Sequence, residues 1–148
     1  MFVPSLFCVK IKGMKRGGFL KRTPLKRKSK SESRKLQDLI WQHCRRIQYA
    51  KYGKTCYTCK KPVEGQNAHL GHFIPRSVGG VALRYNLDNL RPQCYYCNIN
   101  LGGNGSAFYK ELLKDEGQDF IDQLFALKQT TMKGSIHYLT LLEKYSNM

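Results

Sequence analysis

From Leu36 onward, apolar residues recur near every 3.6 positions: Leu36, Leu39, Ile40, Cys44, Ile47 and Tyr49. That period predicts a helix with one buried face, capped by Ser31 or Ser33 and running to about Tyr52, with Gly53 just past its end. Its polar face carries Arg34, Lys35, Arg45, Arg46 and Lys51, and Trp41 is expected in the core. After residue 53 the helical period stops. KTCYTCKK reads as a short strand, a knuckle and a turn. NAHLGHFIP reads as a strand ended by proline, RSVGGVALRYN as a glycine-containing loop, and NLRPQCYYCN as a second knuckle leading into a helical start. LGGNGS breaks that start. Three helical patterns follow at about 106–115, 118–128 and 135–145, separated by Gly117 and Gly134. Their apolar positions, among them Phe108, Leu112, Ile121, Leu124, Ile136, Leu139 and Leu142, are expected to form a packing layer.

Composition changes this picture at the front end. The chain has 148 residues, 26 Lys plus Arg against 10 Asp plus Glu, and a net charge of +16. Residues 1–52 carry 15 basic and 2 acidic residues (net +13), and residues 53–148 carry 11 and 8 (net +3). Residues 10–30 hold ten Lys or Arg and no acid, with Gly13, Gly17, Gly18 and Pro24 interrupting any period. Residues 1–30 are therefore expected to be a flexible basic arm, and 31–148 a single α+β domain. The asymmetry points to a polyanion, and Lys26, Arg27 and Lys28 are candidates to meet nucleic acid. A membrane protein is excluded, because no apolar run approaches the ~20 residues that a spanning helix needs. The apolar stretch MFVPSLFCV does not read as a signal peptide, since basic residues follow it instead of leading it. A reducing, cytoplasmic setting is expected. Met14 opens a more ordinary basic start, which leaves residues 1–13 as either an extension or an upstream start.

Six cysteines sharpen the chemistry. Cys56-x-x-Cys59 is followed by 34 residues and then by Cys94-x-x-Cys97. Each C-x-x-C turn aims two thiolates at one ion, and two turns complete a closed tetrahedral zinc site with no open position for chemistry. This zinc should hold the fold. A redox C-x-x-C would need only one pair and a βαβ setting. Cys8 and Cys44 are left over, as a tail thiol and a buried helix residue.

The segment looped out between the knuckles carries Ala68-His69-Leu70-Gly71-His72-Phe73-Ile74-Pro75-Arg76, then Asn89-Leu90-Arg91-Pro92-Gln93-Cys94 and, past the second knuckle, Asn98. H-x-x-H alone is a weak signal. The ordered string GHFIPR…LRYNLDNLRPQC-x-x-CN…GGN…FYKELLKDEGQDFIDQL resembles the HNH, or ββα-metal, nucleases and, more closely, the lambdoid phage NinG (Rap) recombination family. The likeness spans about residues 54–125. Gly71 stands where many HNH nucleases have a metal-ligating Asp or His, and LGGN replaces a lysine that often follows the Cys-Asn step.

The resemblance implies an α+β fold with a zinc-stabilised ββα-metal core at 54–104, an N-terminal helix at 31–53 and a C-terminal helical layer at 105–148. It implies a metal-dependent endonuclease acting on branched or recombination DNA in the host-cell cytoplasm. His72 matches the general base, and a histidine of pKa near ~6.5 suits that work near neutral pH. Asn98 matches the helix ligand of a catalytic Mg²⁺ or Mn²⁺ ion, and one such ion can bind a phosphate oxygen and the leaving oxygen together. His69 is the best second ligand, at a place where NinG relatives carry an Asp. Asn89 matches the central asparagine that ties the loop to the strand and orients the base. Arg76, and more weakly Arg84 and Arg91, are candidates to meet DNA phosphates. A homodimer would suit two symmetric cuts at a four-way junction. Two other readings stay open: a non-catalytic zinc-stabilised DNA-binding module, and a general HNH nicking or restriction-type endonuclease.

Overall fold

The structure is a computed structural model and describes residues 31–128 and 134–148, with no side-chain description for 134–136. The basic arm, with Lys26, Arg27, Lys28 and Cys8, lies outside the described residues. Ser31 caps the first helix, α1 (Glu32–Tyr52), by accepting from the Arg34 N–H, and Gly53 ends it at φ 71°. Its buried face is Ile40, Cys44 and Gln48. Trp41 is a correction to the expectation, because it lies half-buried at the edge of a cavity and not in the core.

Two strands, β1 (Ala68–His72) and β2 (Leu90–Cys94), form an antiparallel pair in which Ala68 faces Cys94, Leu70 faces Pro92 and His72 faces Leu90. The proline costs the ladder nothing. Its carbonyl accepts from the Tyr57 N–H on the far side of β2, so the missing Pro92 N–H would also have pointed away from β1. Helix α1 is tied to two successive carbonyls of β1: Arg45 donates to the Ala68 carbonyl at 3.1 Å, and the Tyr49 hydroxyl to the His69 carbonyl at 2.9 Å.

Where a loop was expected after β1, the chain forms α2 (Arg76–Arg84), broken at Gly80, whose φ of 61° no helix allows. Each half is about one turn, too short for a hydrophobic period to reveal. The first knuckle holds only an isolated Thr55–Pro62 bridge, not a strand. The second runs directly into one wide π-helical turn, Tyr96–Asn100. Gly102, Gly103 and Asn104 then take left-handed conformations that turn the chain into α3 (Gly105–Glu116), followed by α4 (Gln118–Leu127) and α5 (Gly134–Ser146).

The C-terminal helices do not form one layer. Phe108 and Leu112 of α3 and Ile121 and Leu124 of α4 pack with Tyr57, Ile74 and Leu83. Tyr138 and Tyr145 of α5 pack instead with Ile40 and Cys44 of α1, Leu70 and Leu90 of the sheet, and Tyr85. Leu139 is exposed. The architecture is α+β, a two-stranded sheet between helical groups. Among the described residues, no helix is long and apolar enough to cross a membrane.

Candidate metal centre and adjoining basic cavity

The two C-x-x-C turns meet. The sulfurs of Cys56, Cys59, Cys94 and Cys97 all lie within 4.8 Å of one another, and the Cys59 and Cys94 sulfurs are 3.7 Å apart. A tetrahedron with Zn–S bonds of ~2.3 Å has edges of about 3.8 Å, so the cluster fits a structural zinc ion. Burial opposes ionisation of Cys56, but hydrogen bonds from Thr58 and from its neighbouring cysteines lower its pKa to about 6. Burial, with the adjacent thiols, pushes Cys59 up to about 12. Four thiolates cannot share this volume without a cation, and an ion that draws all four supplies folding free energy. Cys44 stays apart, buried and donating to the Tyr85 carbonyl, its thiol pushed up to about 12 by burial.

A cavity of about 360 Å³ opens beside this frame, lined by Trp41, Arg45, His69, His72, Arg76 and Asn98. His69 and His72, three apart on β1, thus reach one space. His72 ends the strand, where its Nε2 lies 2.9 Å from the Arg84 carbonyl oxygen. A carbonyl only accepts, so Nε2 carries the proton and Nδ1 keeps its lone pair. The ring stacks on Trp41 at 5.6 Å with 8° between planes. Burial, together with the charges of Arg76 and Arg84, outweighs the Arg84 hydrogen bond and pulls the His72 pKa down to about 4, so the ring is neutral at pH 7. Trp41 and Arg45 belong to this site and were not foreseen. Their only sequence signal is a place on the helix face beside the buried stripe.

His69 Nδ1 and the Asn98 amide nitrogen are 3.3 Å apart, and His69 Nε2 is 3.1 Å from the Gln66 carbonyl oxygen. The Nε2 proton therefore goes to Gln66, which frees Nδ1 to accept. Two ligands at right angles on an ion at ~2.1 Å lie about 3 Å apart, so His69 Nδ1 and the Asn98 carboxamide oxygen fit one divalent ion once the amide turns over. Among the described residues, the cavity lining offers no carboxylate.

Asn89 does not reach the cavity. It is fully buried, accepts from the Ile74 N–H at 2.7 Å, and donates to the Ile74 and Leu83 carbonyls at 3.1 Å each. It thereby fixes the end of α2 just before Arg84, whose carbonyl holds His72. Its place is that of a positioning residue, not of a group that touches a reacting atom.

Gly71 has its own reason. A Cβ there would lie 1.8 Å from Oε1 and 2.5 Å from Cδ of Gln93. The fully buried Gln93 fills that space and donates to the Gly103 carbonyl at 2.8 Å and to Thr58 Oγ1 at 3.2 Å, linking the first knuckle to the glycine turn. Arg76 lines the cavity, and Arg84 lines a neighbouring pocket that Trp41 and Arg76 also wall. Arg91, expected near DNA, is a correction. It is 1% exposed, bonded to the Leu87, Asp88 and Leu90 carbonyls, paired with Glu116 at 3.0 Å, and set against the Tyr52 and Tyr57 rings. It holds the fold and cannot reach a phosphate.

This is an α+β chain with a cluster of four cysteines that could hold a metal ion, packed beside a histidine–asparagine cavity. The family described as Bacteriophage Lambda NinG protein matches residues 14–146, and the chain belongs to it. It is a family of phage proteins connected with recombination. No curated protein and no solved structure matches the chain.

Proposed function

We propose that the chain is a metal-dependent DNA endonuclease of the HNH (ββα-metal) type, hydrolysing phosphodiesters in branched recombination intermediates. The observation that carries this reading is the held tautomer of His72: Nε2–H is tied to the Arg84 carbonyl, so the bare Nδ1 belongs to a ring that walls the same cavity as the His69–Asn98 pair. The succession of two antiparallel strands and a short helical turn bearing Asn98 supports it further.

In the hydrolysis, a water oxygen bonds to phosphorus, its proton passes to His72 Nδ1, and the P–O3′ bond breaks with the 3′ oxygen taking a proton from solvent water, to which His72 then returns its own. Trp41 and the Arg84 carbonyl hold the base in place, and Asn89 holds α2 so that this carbonyl stays there. Arg76 meets a DNA phosphate at the edge of the cavity, and neutralising its charge raises the proton affinity of His72. His69 and Asn98 would hold a divalent ion, which would supply charge neutralisation for the hydrolysis. Magnesium prefers carboxylate oxygen, whereas an imidazole ligand suits manganese better, so Mn²⁺ should support cutting at lower concentration than Mg²⁺. A lining without a carboxylate among the described residues suits the alternative, a zinc-stabilised DNA-binding module. Incubation of labelled linear, flapped, D-loop and four-way DNA with Mg²⁺, Mn²⁺ or EDTA separates them. Metal-dependent cuts near the branch are expected, and binding without cuts under every condition rejects the enzyme.

A further inference from the structure

Between α1 and α2 lies a second, partly enclosed pocket of about 180 Å³, walled by Arg34, Asp38 and Trp41 from α1 and by Arg76 and Arg84 from α2. Its size is about six times the ~30 Å³ that one water occupies in the liquid, room for a phosphate group and a few waters. Three guanidiniums and one carboxylate face it. Other arginines of the fold have protein partners: Arg45, Arg46 and Arg91 donate to the Ala68, Tyr145 and Leu87 carbonyls. Among the described residues, Arg34, Arg76 and Arg84 pair with no carboxylate, since the ion pairs are those of Lys35, Lys60 and Arg91. Three guanidiniums against one carboxylate leave a net positive charge in the pocket, and a planar donor fork matches phosphate oxygens.

The backbone is shaped for this convergence. In an unbroken helix, residues eight apart lie 12 Å apart along the axis, at ~1.5 Å per residue. The break at Gly80 interrupts that separation, and Arg76 and Arg84 line one pocket. The pocket shares Trp41 and Arg76 with the cavity of His69, His72 and Asn98.

We propose that this pocket is a phosphate subsite, in which Arg34, Arg76 and Arg84 together hold one DNA phosphate beside the cavity. That its occupant neighbours the scissile phosphodiester rests on the nuclease reading, but the binding of a phosphate does not. The occupant is either an internal phosphodiester or a terminal phosphate, and both present the same oxygens.

The test is equilibrium binding of fluorescent branched and duplex DNA with the zinc left in place and no Mg²⁺ or Mn²⁺ added, by the full chain and by Arg34→Gln, Arg84→Gln and the double variant. Because three arginines share one phosphate, the slope of log K against log salt should fall by about 0.9 at most, in the double variant as in the singles. A fall near 1.8 in the double variant means two separate phosphates and overturns the proposal. A scan of single neutral methylphosphonates should find one position whose effect vanishes in both single variants, if the occupant is internal. If it is terminal, a 5′-phosphorylated end should bind more tightly than a 5′-hydroxyl end, and Arg34→Gln should erase the difference. No position and no end effect that depends on these arginines refutes the subsite. If the subsite responds as expected but no DNA is ever cut, the pocket stands and the nuclease reading falls.

Discussion

Replacing Gly71 by alanine isolates one contact on which the site's geometry depends. The backbone at Gly71 is not left-handed, so alanine brings no φ strain and the effect is steric. Its Cβ would stand 1.8 Å from Oε1, 2.5 Å from Cδ and 3.0 Å from Cγ of Gln93. Most of that side chain must leave, and it is fully buried. Overpacking of this kind costs about 1–3 kcal/mol. The displaced amide also loses the Gly103 and Thr58 bonds, at about 1 kcal/mol each, giving about 3–5 kcal/mol in all. Gln93→Ala suffers the loss of the bonds but vacates the space, so Gly71→Ala should add almost nothing on that background. Urea unfolding of the zinc-loaded proteins, followed by the fluorescence of Trp41, the sole tryptophan, gives the cycle. A coupling energy of about 3–5 kcal/mol is expected. Additivity within about 0.5 kcal/mol would refute the packing. A departure from the HNH pattern thus has a local cause, since an Asp or His at 71 would expel Gln93 before it could ligate an ion.

Cys59→Ser should lose zinc and unfold the whole domain, because structural zinc is worth about 10–16 kcal/mol in small zinc peptides; full thermal stability with zinc retained contradicts the four-thiolate site. Arg91→Ala should destabilise by about 3–5 kcal/mol through the cavity left beside the Tyr52 and Tyr57 rings and the loss of its bonds to the Leu87, Asp88 and Leu90 carbonyls, while the salt dependence of DNA binding stays unchanged; a shallower salt slope would return Arg91 to the DNA. With His72 held near pKa 4 against ~6.5 unfolded, the unfolded chain binds the extra proton first as pH falls. Stability is therefore full above about pH 6.5 and declines by about 3 kcal/mol toward pH 4. Acid unfolding of His72→Asn should lack that share, and an identical acid profile would mean the ring is not buried neutral.

The ends of α1 were legible because Ser31 and Gly53 act locally on chain conformation. The cysteine cluster was legible because metal ligation fixes spacing in the sequence itself. Helix α2 was not, because a glycine with positive φ divides it into pieces shorter than any period. Arg91 was misplaced because sequence shows a charge but not the carbonyls and the Glu116 carboxylate that surround it. Trp41 was misassigned because its partner, His72, lies 31 positions away, and only the grip of α1 on the β1 carbonyls brings them together. The exposed Leu139 shows the same limit, since the period of α5 marks a face but not how much of it finds α1.

Single-turnover cleavage of labelled branched DNA by His72→Ala, beside the unaltered chain and His69→Ala, tests the central claim most directly. The expected result for His72→Ala is a rate loss of about 10²–10⁴. Zinc content and DNA affinity should be retained, and added Mn²⁺ should give no recovery. His69→Ala should recover in part as Mn²⁺ rises, since a lost ligand lowers metal affinity whereas a lost base is not replaced by metal. Normal cutting by His72→Ala, or metal rescue of it in place of His69→Ala, would contradict the account.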